Sequence, residues 1–332
     1  MKKYLEYPVF ICGHRKTGTT MLVNLFDGAK DAVVFPDDST FFYMYFPRYV
    51  GERFSVEEKR ERLANVLVGE VHRKKIAKAN CTEAEREKLM GQLEDFRAEI
   101  LTWPAEDFEL KQVLPKFIDG YNRYFQRVEH PKVWIEKTTS TEIYALELLD
   151  NFPNAKFIHI IRDPRDNWGS LLSGWEQRYK EYNDEVNRLK QSLIERSGLG
   201  FQMAMANEDV MGKDRYRIVR FEDVTADPQR YIRELAEFIG IDYSTDLLYP
   251  STFGYRWEGN NFDGEKFSKP STVNVNRWRD RISEADAQLI EFHFREAMDH
   301  FGYDRVFDRA DCIRAAAAHY KWFNFSTPFS AK

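Results

Sequence analysis

The chain has 332 residues, 43% of them hydrophobic and 15% aromatic, with a formal net charge of −5. That apolar content is ample for the core of one large α/β domain or two smaller ones, and the acidic balance excludes a global basic field for nucleic acid. Any site for a polyanionic small molecule must therefore be basic locally.

The first element is an apolar run of strand character, Pro8-Val9-Phe10-Ile11-Cys12. It passes through Gly13-His14-Arg15-Lys16-Thr17-Gly18 into a segment with helical apolar spacing, Met21, Leu22, Leu25 and Phe26. A strand, a glycine-bounded loop and a helix start make an anion cradle, because loop and first-turn N–H groups lack partners and the helix dipole adds positive charge. Gly13 and Gly18 have the spacing of the nucleotide-triphosphate loop G-x-x-x-x-G-K-[ST], but Thr19 stands where that motif has its lysine. The cations come earlier, at Arg15 and Lys16, which argues against ordinary ATP or GTP hydrolysis.

Ala32-Val33-Val34-Phe35 reads as a short strand, ending in Pro36-Asp37-Asp38-Ser39-Thr40 and an aromatic cluster at Phe41, Phe42, Tyr43, Tyr45 and Phe46. From about 52 to 130 the pattern turns helical and charged, with Thr82 and Glu85 forming a capping signature. This stretch reads as a helical insertion with solvated charged faces. Strand character returns at Val133–Glu136, followed by Lys137-Thr138-Thr139-Ser140 and a helix to about Leu149. Phe157–Ile161 is a continuous apolar run suited to the interior of a parallel sheet. Asp163 then offers an N-cap and Pro164 a first helical position, and helix continues to about Val210. Arg217–Phe221 reads as a strand, Asp227–Ile239 as a helix, and Ser283–His300 as a final helix. Between them, residues 249–281 form a long loop rich in Gly, Asn, Ser, Lys and Arg.

Recurring strand-then-helix units predict a single α/β domain over residues 1–332, with a mostly parallel central sheet flanked by helices. Cys12, Cys81 and Cys312 are odd in number and lack metal-ligand spacing, no apolar run reaches the roughly 20 residues needed to cross a bilayer, and the N-terminus lacks a secretory signal. A soluble cytoplasmic protein is expected, with Cys12 a buried inert thiol. His159 reads as a core histidine, and His293 and His300 as helix-face residues.

Lys16-Thr17-Gly18-Thr19-Thr20 resembles the 5′-phosphosulfate loop of the sulfotransferases, and Arg162-Asp163-Pro164-Arg165-Asp166 with Ser170 resembles their 3′-phosphate motif. The residues around Glu136-Lys137-Thr138, Val219–Val224 and Lys269–Trp278 are similar to further segments of that family, nearer its tyrosylprotein, heparan-type and bacterial branches. Phe221 stands where the family has a tyrosine. The resemblance implies a P-loop sulfotransferase fold, and transfer of a sulfonate from 3′-phosphoadenosine 5′-phosphosulfate (PAPS) to an acceptor hydroxyl, with the bisphosphate PAP as product and no metal. It implies Lys16 as the cation at the leaving oxygen, and Arg15, Lys16, Thr17, Gly18, Thr19 and Thr20 around the 5′-phosphate. Arg162 and Ser170 take the 3′-phosphate, and Lys269 and Arg277 belong to a covering flap. Lys137 contacts the sulfonate, with pairing to Glu136 or Glu142 as its plainer role.

A carboxylate base is implied shortly after the first helix. Asp38 is preferred, with Asp37 and His14 the alternatives. The acceptor is expected to be a carbohydrate or another polar small molecule, although the aromatic cluster could equally hold an apolar one. A homodimer is possible. A P-loop kinase and a non-catalytic nucleotide-binding scaffold are the rival readings.

Overall fold

The computed structural model describes residues 2–36, 38–39, 41, 54–68, 70–178, 186–260 and 264–322. It divides into two compact units, Met1–Ile161 with Ala204–Ser271, and Arg162–Met203 with Thr272–Lys332.

The first unit is built on a five-stranded sheet. Its strands are β1 (Pro8–Cys12), β2 (Ala32–Val34), β3 (Val133–Lys137), β4 (Lys156–Ile161) and β5 (Tyr216–Arg220). They lie in the order β2-β3-β1-β4-β5, and every pairing is parallel. All five residues of β1 are buried, as a central strand covered on both faces requires. Phe10 shares a register level with Glu136 and Phe157, so alternation puts these three on one face. The Phe10 ring stacks on Phe157 at 5.5 Å and meets Trp134 edge-on at 5.6 Å. Burying each such ring contributes about 2–3 kcal/mol. Ile11 and Lys137 share the next level and face the other way.

Helix α1 (Thr19–Phe26) follows the glycine turn. Between β2 and β3 run α2 (Val56–Val68), α3 (Glu70–Lys78), α4 (Glu83–Leu101) and α5 (Leu110–Tyr121). Helix α4 starts at the reciprocal Thr82–Glu85 capping box that the sequence signals. Phe96, Phe117 and Tyr121 carry these helices into the same core as Phe35 and Phe253. After β3 come a short 3-10 turn and α6 (Ala145–Asn151).

In the second unit, α7 (Pro164–Arg178) is capped as expected, since the Asp163 carboxylate accepts the Arg165 N–H at 2.8 Å. Helix α8 (Val186–Met211) carries the chain from this unit back to the first.

Strand β5 stops at Arg220, one residue short of expectation. Phe221 instead opens α9 (Phe221–Ala226), whose first turn holds Glu222 and Asp223, carboxylates that favour a helix N-terminus. Helix α10 (Pro228–Ile239) follows, with Asp227 accepting the Arg230 N–H. The long loop has short regular elements among its described residues. It contains the two-residue pairs β6 (Ser251–Thr252) with β7 (Tyr255–Arg256), and β8 (Gly259–Asn260) with β9 (Lys266–Phe267). It ends in α11 (Trp278–Arg281). Helix α12 (Glu284–Phe301) is not the last, because α13 (Arg309–Trp322) packs beside it. Among the described residues no helix is long and apolar enough to cross a membrane.

Candidate active site

The turn from Gly13 to Gly18 joins β1 to α1. Gly13 has φ +138° and a Cβ there would lie 2.5 Å from the Ile160 carbonyl oxygen. Gly18 has φ +110° and its Cβ would lie 2.6 Å from the Phe221 ring. Only glycine fits either place. Lys16 also has positive φ, 71°. The His14 carbonyl accepts the Thr17 N–H at 3.2 Å and the Thr17 hydroxyl at 2.8 Å, closing the turn. Gly18, the N-cap of α1, has no side chain to cap the helix, and an N-terminus of that kind suits an anion. Arg15 and Lys16 are exposed, Thr17 and Thr19 buried, and Gly18 and Thr20 half-buried. The ring of His14 is buried as well.

A carboxylate underlies this turn. Glu142, wholly buried, accepts the Gly13 N–H at 3.1 Å. Burial pushes its carboxyl up to about 7. The adjacent Cys12 thiol is also raised by burial, with Glu142 and Glu136 adding to the effect, so it is inert as expected. His159 is enclosed too: burial lowers it to about 3, and a ring nitrogen shares a 2.7 Å hydrogen bond with the Tyr216 hydroxyl.

The end of β3 supplies the next groups. The Lys137 ammonium donates to Asp38 Oδ1 at 2.6 Å, so the buried lysine and the half-buried candidate base form an ion pair. Lys137 lies level with Ile11, two residues before Gly13, and the Ser140 N–H donates to the Gly13 carbonyl. The glycine turn, Lys137 and Asp38 are therefore neighbours at the carboxyl edge of the sheet, where ligands of open α/β sheets gather. Glu136 faces the other way and takes hydrogen bonds from Ser39 and Thr138. Burial pushes Glu136 up to about 7; its hydrogen bonds oppose the rise and the charge of Asp38 adds to it.

Asp37 lies outside the described residues, as do Phe42, Tyr43, Tyr45 and Phe46 of the aromatic cluster. Phe41 is described, and it is wholly buried in the hydrophobic core. Its own ring is therefore not available to an acceptor.

In the second unit, Arg162 follows directly after β4. Its guanidinium donates to Ser170 Oγ at 3.0 Å and to the Asn274 carbonyl at 2.7 Å. The expected pair of Arg162 and Ser170 is thus brought together, eight residues apart across the start of α7, with both side chains buried.

The neighbouring charges of that motif are structural. Arg165 is gripped by both Asp163 oxygens and by Glu291, and it lies 4.5 Å from the Trp278 ring centre. Asp166 accepts the N–H groups of Asn276 and Trp278, each at 2.7 Å. Burial raises its carboxyl, with the charge of Arg162 opposing. Asp166 carries no local sign of this role, because its partners lie over a hundred residues away. Arg277 is half-buried at the start of α11. Lys269 belongs to the first unit and is exposed, with its ammonium 4.5 Å from the Tyr249 ring centre.

Comparison with known proteins identifies the family and the fold. The profile described as "Sulfotransferase family" matches residues 8–245. The omega-hydroxy-beta-dihydromenaquinone-9 sulfotransferase Stf3 of Mycobacterium bovis (strain ATCC BAA-935 / AF2122/97) is 22% identical over 325 residues, covering 90% of this chain and 76% of that protein. Carbohydrate sulfotransferase 3 of Tetronarce californica is 24% identical over 189 residues, covering 52% of this chain and 41% of that protein. Among solved structures, the sulfotransferase domain from the Synechococcus PCC 7002 olefin synthase matches with a TM-score of 0.60 at 16% identity, over 90% of this chain and 96% of that one. The fold is therefore shared, and with the profile spanning most of its length the chain belongs to the sulfotransferase family, enzymes of sulfonate transfer.

Proposed function

We propose that this enzyme moves the sulfonate of PAPS to a hydroxyl of a carbohydrate or another polar small molecule, with Asp38 as general base. The acceptor oxygen attacks sulfur as the bond from sulfur to the bridging phosphate oxygen breaks. The hydroxyl proton passes to Asp38, and PAP leaves. Lys16 neutralises the charge that grows on the bridging oxygen, which is where a fixed cation is worth most. The first-turn N–H groups of α1, with Arg15, Thr17, Gly18, Thr19 and Thr20, hold the 5′-phosphate. Arg162 and Ser170 hold the 3′-phosphate, assisted by Lys269 and Arg277. Lys137 has three ammonium hydrogens and can serve Asp38 and a sulfonate oxygen together.

The observation that carries this reading is the 2.6 Å Lys137–Asp38 pair beside the glycine turn. A proton acceptor and a cation side by side at this edge are the groups an in-line displacement would use.

The test is D38N. Transfer from radiolabelled PAPS is followed over a panel of sugars, polar alcohols and one long-chain alcohol. D38N is expected to bind PAP as the wild type does and to lose at least about 100-fold in turnover. Unchanged turnover refutes the assignment. The long-chain alcohol covers a second reading, an apolar acceptor, which the mycobacterial relative favours because it matches over 90% of this chain and is named for a menaquinone derivative.

A further inference from the structure

Glu136 is the one carboxyl among the residues that share the Phe10 and Phe157 level of the sheet. It has no exposed surface, so no acceptor hydroxyl can reach it and it cannot itself be the base. A carboxyl in such a place costs stability unless hydrogen bonds offset it. Three donors converge on a single oxygen, Oε1: the Ser39 hydroxyl at 2.8 Å, the Ser39 N–H at 3.2 Å and the Thr138 hydroxyl at 2.5 Å. Two of the three come from one residue. Holding the N–H and the hydroxyl of Ser39 together fixes both its backbone and its side-chain rotamer. The same hydroxyl oxygen accepts the Phe41 N–H at 3.3 Å, which joins the grip to a ring buried in the core.

Ser39 is the residue after Asp38, as Lys137 is the residue after Glu136. Consecutive residues of a strand point to opposite faces. The end of β3 therefore holds the 38–39 segment from both sides of the sheet, Lys137 binding Asp38 on one face and Glu136 binding Ser39 on the other. A slip of one residue in the segment would break both grips at once. We propose that Glu136 is a positioning residue, which fixes Asp38 against Lys137 by gripping Ser39. The proposal rests on the reading of Asp38 as the base, and its test does not depend on turnover.

The test is a set of crystal structures of the full chain with PAP, for wild type, E136A and E136Q, together with PAP titrations. In E136A the Lys137–Asp38 contact, 2.6 Å here, opens beyond about 4 Å while PAP affinity stays within about twofold of wild type. E136Q keeps an oxygen able to accept from Ser39 and Thr138, and it restores the contact. A closed contact in E136A overturns the proposal. So does loss of PAP affinity alongside the contact, because the effect would then be general damage to the fold. If E136A does not fold, S39A makes the same comparison by deleting the hydroxyl, and a closed contact there overturns the proposal equally. Normal turnover in D38N would remove the base reading and leave the grip on Ser39 intact; a closed contact in E136A would do the reverse.

Discussion

The glycine turn and the segment bearing Asp38 lie side by side at the same sheet edge, yet they are held by different means. The turn is held by its backbone. Two glycines with positive φ press against Ile160 and Phe221, and the Thr17 donors close it on the His14 carbonyl. The Asp38 segment is held by side chains reaching in from elsewhere. Glu136 and Lys137 come from β3, Lys75 on α3 donates to the Pro36 carbonyl, and His72 packs its ring on Phe35. A backbone-held element should fail at a single methyl group, whereas a side-chain-held one should weaken in steps.

The sharpest way to break the comparison is G13A. The added Cβ meets backbone at 2.5 Å and the position has φ +138°, so neither a rotamer change nor a small shift relieves it. The expected outcome is a loss of at least about 4 kcal/mol and of PAP binding, read by denaturant melts and calorimetric titration. A G13A protein that melts and binds as the wild type does would remove the distinction.

Proton linkage tests what the two regions share, because one buried carboxyl lies beneath each. Glu142 under the turn and Glu136 under the Asp38 segment are both pushed by burial from the ordinary glutamate value of 4.5 up to about 7. Between those values the folded chain holds more protons than the unfolded one, so stability is fullest below about 4.5 and falls as pH rises through 7. Each group contributes on the order of 3 kcal/mol to that fall. E142Q and E136Q should each remove one share of the slope in melting temperature against pH. An unchanged slope in either variant would show that its carboxyl does not titrate in this window. The smallest effect is expected for K75M, which deletes one donor to the Pro36 carbonyl. It should cost about 1 kcal/mol and leave PAP affinity unchanged.

What the sequence made legible follows the same division. The five strands and the turn are local patterns of residue type, and the caps at Thr82 and Asp163 have partners within a few residues. The Arg162–Ser170 pair was legible because eight residues along a helix start is still local. The Glu136–Ser39, Arg165–Glu291 and Asp166–Trp278 contacts were not. They join residues separated by 97, 126 and 112 positions, and nothing in either neighbourhood marks the other. Helix α13 escaped for another reason. Its buried positions, Cys312, Ala316 and His319, are small or polar, so its inward stripe lacks the large apolar side chains that betray a helix face.

The second unit is assembled from two stretches of chain, 162–203 and 272–332, and Arg165 is neutralised jointly by Asp163 and Glu291, one from each stretch. On the ribosome the first stretch emerges well before its complement. Asp163 is made beside Arg165, but Glu291 and the Asn276 and Trp278 N–H groups that Asp166 accepts are made only after 204–271, so the full set of partners that offsets burying Arg165 and Asp166 exists only then. The buried arrangement at the start of α7 can therefore be completed only once the second stretch has been made.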